Sequence, residues 1–313
     1  MQNEIKIKVP GRICLLGDKI DLQGLPVIAV AIDRYFELNI KKISRNQIRM
    51  KSENLNEHYE YEIGNAWNKN HPFKYWFAII ERLKDKISGF EATISGNLPI
   101  GAGLSSSAAF SVALIQGLNQ MYELGLNSLE IAELAYLAEH DDLGIMCGRM
   151  DQYSIACGGA SFIETGQVPK VQCLDIKELP LVVADSQEPR QAKKILNSIK
   201  QRLNEKDPIV INAFNVVHEC VLKGKKALLE NDFVTLGKLM NEQQEQENII
   251  GAATPKLNLL CKIAIEAGAF GAKQMGAGGG GCIVALCPGK QKEVAEALKS
   301  VGGDPMILKI FNY

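Results

Sequence analysis

The chain has 313 residues, 46% hydrophobic and 23% charged, an ordinary globular composition long enough for two domains or one large one. Lysine and arginine total 35 against 36 aspartate and glutamate. The formal net charge of −1 gives no global basic field for nucleic acid or an anionic membrane surface, so neither is expected as a partner. The eight cysteines (14, 147, 157, 173, 220, 261, 282 and 287) include no Cys-x-x-Cys pair. MQNEIKIKVPGR has no basic stretch followed by an apolar one, and no apolar run approaches membrane-spanning length. A cytoplasmic protein with reduced, structural cysteines is expected.

EIKIKV at 4–9 alternates as a half-buried strand, ICLL at 13–16 and VIAVAID at 27–33 read as buried strands, and YFELNIKKI at 35–43 alternates again with Phe36, Leu38 and Ile40 on one face. The connections are short, so these strands are expected to be antiparallel. Residues 73–86 read as a helix and 89–95 as a strand. Two helices follow, over SVALIQGLNQMY and over 127–140, the second opened by Asn127 and Glu130 in a capping pattern. SFIET, KVQCLDI and LVVAD give short strand signals, and 190–250 is polar and helix-rich. A helix at 255–267 leads into strand, glycine loop, strand, then an amphipathic helix and the closing strand MILKIF. The shift near 180 from mixed β to helix-rich sequence sets the expected boundary, giving domains 1–180 and 181–313.

Two glycine loops carry the chemistry. PIGAGLSSSAA at 99–109 places Ser105, Ser106 and Ser107 at a helix start, where amide N–H groups lack intrahelical partners and serine caps well. Gly101 and Gly103 let the backbone approach a ligand, and such a loop opening a helix suits a phosphate. Capping alone needs one serine, not three with two glycines. KQMGAGGGGC at 273–282 supplies a second backbone concavity. PGRICLLGDKIDLQG at 10–24 sets Arg12, Asp18, Lys19 and Asp21 among apolar residues, and CGRMDQY at 147–153 places Asp151 in a turn after the second helix, twelve residues beyond Glu139.

In order and spacing these motifs resemble those of the GHMP kinase superfamily, and PGR-x-x-L-x-G, GLSSSAA, CG-x-MDQ and the Glu-to-Asp spacing are most similar to galactokinase. The resemblance spans residues 10–286. It implies an α+β fold: a β-rich N-terminal domain and a ferredoxin-like C-terminal domain, with ATP in the cleft. It implies Asp151 as general base with Arg12 as its electrostatic partner, and Ser106 and Glu139 as Mg²⁺ ligands. Gly101, Gly103, Leu104, Ser105, Ser106 and Ser107 would bind ATP, and Asp18, Lys19, Asp21, Gly278 and Gly279 would line the substrate.

The chain departs from galactokinase at G-D-K-I-D-L, where that family reads G-E-H-T-D-Y: Asp21 is kept, Asp18 is shorter than glutamate, and Lys19 replaces histidine. RICLLGDKIDLQG is also similar to the galacturonokinase motif, which raises a sugar acid whose carboxylate Lys19 would read; the alternative is a local ion pair of Lys19 with a neighbouring aspartate. The expected activity is phosphorylation of galactose or a related sugar or sugar acid, at the anomeric hydroxyl. A mevalonate or polyol kinase, or a sensor that binds ATP and sugar without turnover, are the other readings. Tyr75 and Trp76 could flank the adenine or belong to the core. A monomer or homodimer is expected.

Overall fold

The structure is a computed structural model that describes residues 4–43 and 46–313. The chain divides into two compact units. One holds the chain up to Gly11, Arg34–Ile100 and Leu104–Cys157; the other holds Arg12–Asp33, Gly101–Gly103 and Gly158–Tyr313. The paired strand signals at the start merge: 4–9 and 13–16 are one strand, β1 (Glu4–Leu16), and 27–33 and 35–43 are one strand, β2 (Val27–Lys42).

In the first unit the later part of β2 pairs antiparallel with β5 (Phe90–Gly96), Leu38 opposite Ile94 and Ile40 opposite Ala92. Strands β3 (Gln47–Ser52) and β4 (Glu57–Glu62) form an antiparallel pair that continues the sheet, β3 running parallel to β5. Phe36, Leu38 and Ile40 are buried while Glu37, Asn39 and Lys41 face out, as the alternation requires. Four helices pack together here: α1 (Lys74–Leu83), α2 (Ser106–Met121), α3 (Ser128–Leu137) and α4 (Met150–Cys157). Asn127 and Glu130 close the expected capping box at α3. The helix does not run on to residue 140: Ala138–Asp142 form a π-helical turn.

In the second unit the start of β2 pairs with β6 (Ala160–Glu164), which pairs with β7 (Lys170–Leu174). A separate antiparallel sheet runs in the order β11-β8-β10-β9, from β8 (Leu181–Asp185), β9 (Gly271–Gln274), β10 (Cys282–Leu286) and β11 (Asp304–Leu308). With helices between β8 and β9 and between β10 and β11, this is the ferredoxin-like arrangement. The helices are α5 (Ala192–Asn204), α6 (Pro208–Leu229), α7 (Phe233–Ile249), α8 (Pro255–Glu266) and α9 (Gln291–Ser300). Val182, Ala184, Ile283 and Ala285 of the sheet pack on Leu257, Leu260, Val294 and Leu298 of α8 and α9 to make a dry core.

Helix α7 differs from its neighbours. Its buried stripe starts apolar, with Leu236 and Met240, and turns polar within one turn, with Gln243 and Glu247. It lies backbone to backbone on β9: a Cβ on Gly271 would stand 2.1 Å from the Gly237 carbonyl oxygen, so no side chain fits there. That close approach carries the polar end of α7 onto Lys273 and Gln274.

Candidate active site

In the first unit three elements converge on one polar cluster. Ser105 precedes α2 in the left-handed region (φ 59°), and its hydroxyl does not cap the helix as the sequence suggests. It donates instead to Asp151 Oδ2 at 2.5 Å. A non-glycine residue in that region costs of order 1–3 kcal/mol and persists where the surroundings over-determine it. Asp151 lies in the first turn of α4, not in a free turn, so its carboxylate is aimed by a helix. Glu139 lies in the π turn, a device frequent at functional sites. Its Oε1 accepts from Ser107 Oγ at 3.5 Å and its Oε2 from Gln152 Nε2 at 2.9 Å. Burial, together with the Asp151 charge, pushes the Glu139 carboxyl up to about 7.

The oxygen set suits a hard cation. Besides the two carboxylates, Gln152 Oε1 is buried with no hydrogen-bond partner among the described residues. No group of three or more His, Cys, Asp or Glu side chains that could hold a metal occurs among the described residues. Carboxylate and amide oxygens of this kind suit Mg²⁺, which usually completes its shell with phosphate oxygens and water. Ser106, between Ser105 and Ser107 in sequence, is half-buried.

Tyr75 pairs with Ser107, and its phenol is pushed above the ordinary range by burial and the Glu139 charge. Trp76 belongs to the core, stacked on Phe110 with its indole N–H donating to the Phe110 carbonyl at 2.7 Å. Leu104, expected at the nucleotide, is wholly buried in the core.

In the second unit two arginines hold the start of the same loop. Arg12 is buried and its Nη1 donates to the Gly103 carbonyl at 3.0 Å. Arg190, in the segment leading to α5, donates from Nη1 to the Gly101 carbonyl at 3.5 Å. The open face of Gly276 lies 3.6 Å from Arg190 Nη2 and that of Gly281 3.3 Å from Nε, measured from where a Cβ would stand. Arg190 thus stands between both glycine loops. Sequence reasoning passed over it, because QEPRQAKK carries no glycine and no spacing that marks a site. Arg190, Lys193 and Lys194 help line a surface depression of about 490 Å³.

The remaining expected substrate residues have other neighbours. Asp18 is buried, accepting from Lys273 Nζ (2.5 Å), Gln243 Nε2 (2.9 Å) and the Gly276 amide. Lys19 is buried in an ion pair with Glu247 Oε2 at 2.7 Å and donates to the Gly276 carbonyl at 2.8 Å. Burial would raise the Asp18 carboxyl, but the Lys273 and Lys19 charges hold it below its ordinary value. Burial raises the Glu247 carboxyl despite Lys19. An ion pair was one reading of Lys19 from sequence, with a neighbouring aspartate; the carboxylate it meets is Glu247 of α7. Gly278 and Gly279 are buried, Gly279 donating to the Ala252 carbonyl at 2.8 Å. Asp21 is half-buried in the short 3-10 turn Ile20–Gln23.

Comparison with known proteins adds a family to this geometry. Residues 72–159 match the family model for the GHMP kinases N terminal domain and residues 225–304 that for the GHMP kinases C terminal domain. A mevalonate kinase of Pyrococcus furiosus is 33% identical over 319 residues, covering 96% of this chain and 94% of that protein. A galactokinase of the same organism is 29% identical over 330 residues, covering 95% and 93%. The fold is also that of Lactococcus lactis galactokinase crystallised with galactose, with TM-score 0.84, 20% identity and coverage of 99% of this chain and 94% of that one.

Proposed function

The chain belongs to the GHMP kinase family, kinases that phosphorylate small substrates, and from that premise we propose that it moves the γ-phosphoryl group of ATP to a substrate hydroxyl with Asp151 as general base. The observation that carries this reading is the 2.5 Å hydrogen bond from Ser105, at the mouth of the phosphate-type loop, to Asp151. It joins a group suited to anion binding with a carboxylate suited to taking a proton.

In this reading Asp151 accepts the proton of the attacking hydroxyl, and Ser105 holds the carboxylate in place while it does so. Amides of the 101–107 loop and the start of α2 receive the phosphate oxygens. Mg²⁺, when bound, supplies charge compensation for the transferring phosphoryl group. Glu139, with Ser106, would hold it. Arg12 and Arg190 bring fixed positive charge to the loop at Gly101–Gly103, where it offsets phosphate charge. Residues 1–180 would be the N-terminal domain of the family and 181–313 the C-terminal one. The free cysteines support a cytoplasmic setting.

Two substrates are favoured by different observations. The identity to mevalonate kinases favours mevalonate. Asp21 and the Met-Asp-Gln sequence at 150–152, which resemble galactokinase, favour the anomeric hydroxyl of galactose or a related sugar. Lys19 gives little support to a sugar acid, since its charge is already matched by Glu247. ADP release with Mg·ATP across mevalonate, galactose, galacturonate, arabinose and fucose separates these readings, with Asp151→Asn as the blank. Turnover on mevalonate alone would remove the sugar reading, and turnover on a sugar alone the mevalonate one. Wild-type turnover no faster than the Asp151→Asn protein on every compound, with ATP still bound, would favour a sensor.

A further inference from the structure

Four charged side chains, Asp18, Lys273, Lys19 and Glu247, are buried together in the second unit and cancel in charge. They come from three places far apart in sequence: the turn after β1, strand β9 and helix α7. Buried charges are costly unless paired and hydrogen-bonded, and an apolar replacement of a buried pair is often neutral or stabilising. Stability alone therefore does not account for them. What distinguishes this network is its common target. Asp18 accepts from the Gly276 amide, and Lys19 donates to the Gly276 carbonyl at 2.8 Å. Both polar groups of one glycine are gripped, each by one member of an ion pair.

The grip is itself braced. Lys273 Nζ also donates to the carbonyls of Cys14 (3.2 Å) and Gln274 (2.9 Å), and Gln274 Nε2 donates to Glu247 Oε2 at 3.1 Å. Gln243 donates to Asp18 and accepts from the Gly17 amide at 2.9 Å. Lys19 takes up the left-handed region (φ 71°) to reach its partners, a conformation held at a cost. Gly276 is half-buried at the head of the second glycine loop and faces the Arg190 guanidinium.

We infer that Lys19 and Glu247, with Asp18 and Lys273, are positioning residues whose task is to fix the Gly276 peptide groups and through them the second glycine loop and Arg190. This deepens the kinase reading and rests on it for its catalytic consequence, while the grip on Gly276 stands without it. The loop would otherwise be a run of glycines with wide conformational freedom, and an ordered wall is what positioning of a phosphoryl group requires.

The test replaces the pair by apolar groups of similar size, Lys19→Met with Glu247→Leu, beside Lys19→Met alone. In the double variant the melting temperature should stay near the wild-type value. The kcat should fall at least tenfold with the KM for ATP changed less than threefold, and amide hydrogen exchange in 275–282 should quicken at least tenfold. A double variant that folds with wild-type kcat and wild-type exchange overturns the proposal, since the pair would then be structural only. If the wild-type protein turns over none of the tested substrates, the kinase reading is the one in difficulty. Exchange in 275–282 then decides the positioning role alone: faster exchange upholds it, and unchanged exchange overturns it. Should Lys19→Met alone fail to fold, the double variant carries the test.

Discussion

Ser105 reaches Asp151 from a backbone conformation that a serine rarely adopts, and the hydroxyl that could cap α2 is spent on the carboxylate instead. The two variants that remove the hydroxyl should therefore differ in stability. Ser105→Gly relieves the left-handed backbone and Ser105→Ala keeps it, so the glycine variant should be the more stable by about 1 kcal/mol. Both should lose kcat by roughly 10–100-fold, because Asp151 loses the donor that orients it. Thermal denaturation and turnover on the same preparations check this; an alanine variant with unchanged kcat would detach Ser105 from the reaction.

Glu139 makes stability depend on pH. Its carboxyl is pushed up to about 7 in the folded protein, above its ordinary 4.5, by burial and by Asp151. The folded state thus keeps a proton that the unfolded chain gives up, and stability falls as pH rises from about 4.5 to about 7. The full cost, on the order of 3 kcal/mol, applies above that range. Glu139→Gln should flatten this slope and be the more stable protein at pH 8 but not at pH 4.5. Urea unfolding at both values, without nucleotide or metal, measures it, and parallel pH profiles would rule the effect out.

Arg190 should matter to the phosphates and little to the fold. Its guanidinium bonds the Gly101 carbonyl and backs Gly276, and a lysine cannot reproduce that planar fork. Arg190→Lys and Arg190→Ala should each lower kcat/KM for ATP by roughly 10–100-fold, about 1.4–2.7 kcal/mol of transition-state stabilisation. A loss confined to the melting temperature would assign Arg190 to structure.

The two glycine loops should respond differently to a single methyl group. A Cβ on Gly278 would stand 2.2 Å from the Ala252 carbonyl oxygen, on a backbone with φ +83°. Gly278→Ala should therefore destabilise by roughly 3 kcal/mol, strain and overlap combined. Gly101 has φ +81° but nothing within 4 Å of its Cβ position, so Gly101→Ala should cost about 1 kcal/mol. Equal losses in denaturant unfolding would contradict the packing described for 278.

Much of the fold was legible because its signals are local. Alternation at 35–43 placed Phe36, Leu38 and Ile40 inward, Asn127 and Glu130 marked a helix start, and strand, glycine loop, strand at 271–286 reads directly from composition. Strands β3 and β4 escape the sequence reading for different reasons: β3 alternates and buries Ile48, Met50 and Ser52 but is only six residues long, while the charged β4 buries Tyr61 alone. The joining of the early strand signals into β1 and β2 is not legible either: Pro10 and Gly11 interrupt the first, and the second passes at Arg34 from a continuous apolar run to alternation.

The sequence by itself determined the chemical groups: two glycine loops, three serines, Glu139 and Asp151 at a set spacing, and Arg12 in a strand. Their kinds and order follow from covalent structure; by themselves they suit a phosphate, and through the resemblance to the GHMP kinases they point to phosphoryl transfer. Tertiary structure alone decided how they pair. Ser105 turns to Asp151, Arg190 comes to the loops from a segment without a signal, and Lys19 meets Glu247 across more than two hundred residues of chain. A side chain's partner depends on which backbones are brought within about 3 Å, and that is set by the packing of α7 on β9 and of α4 on α2, not by neighbours in sequence.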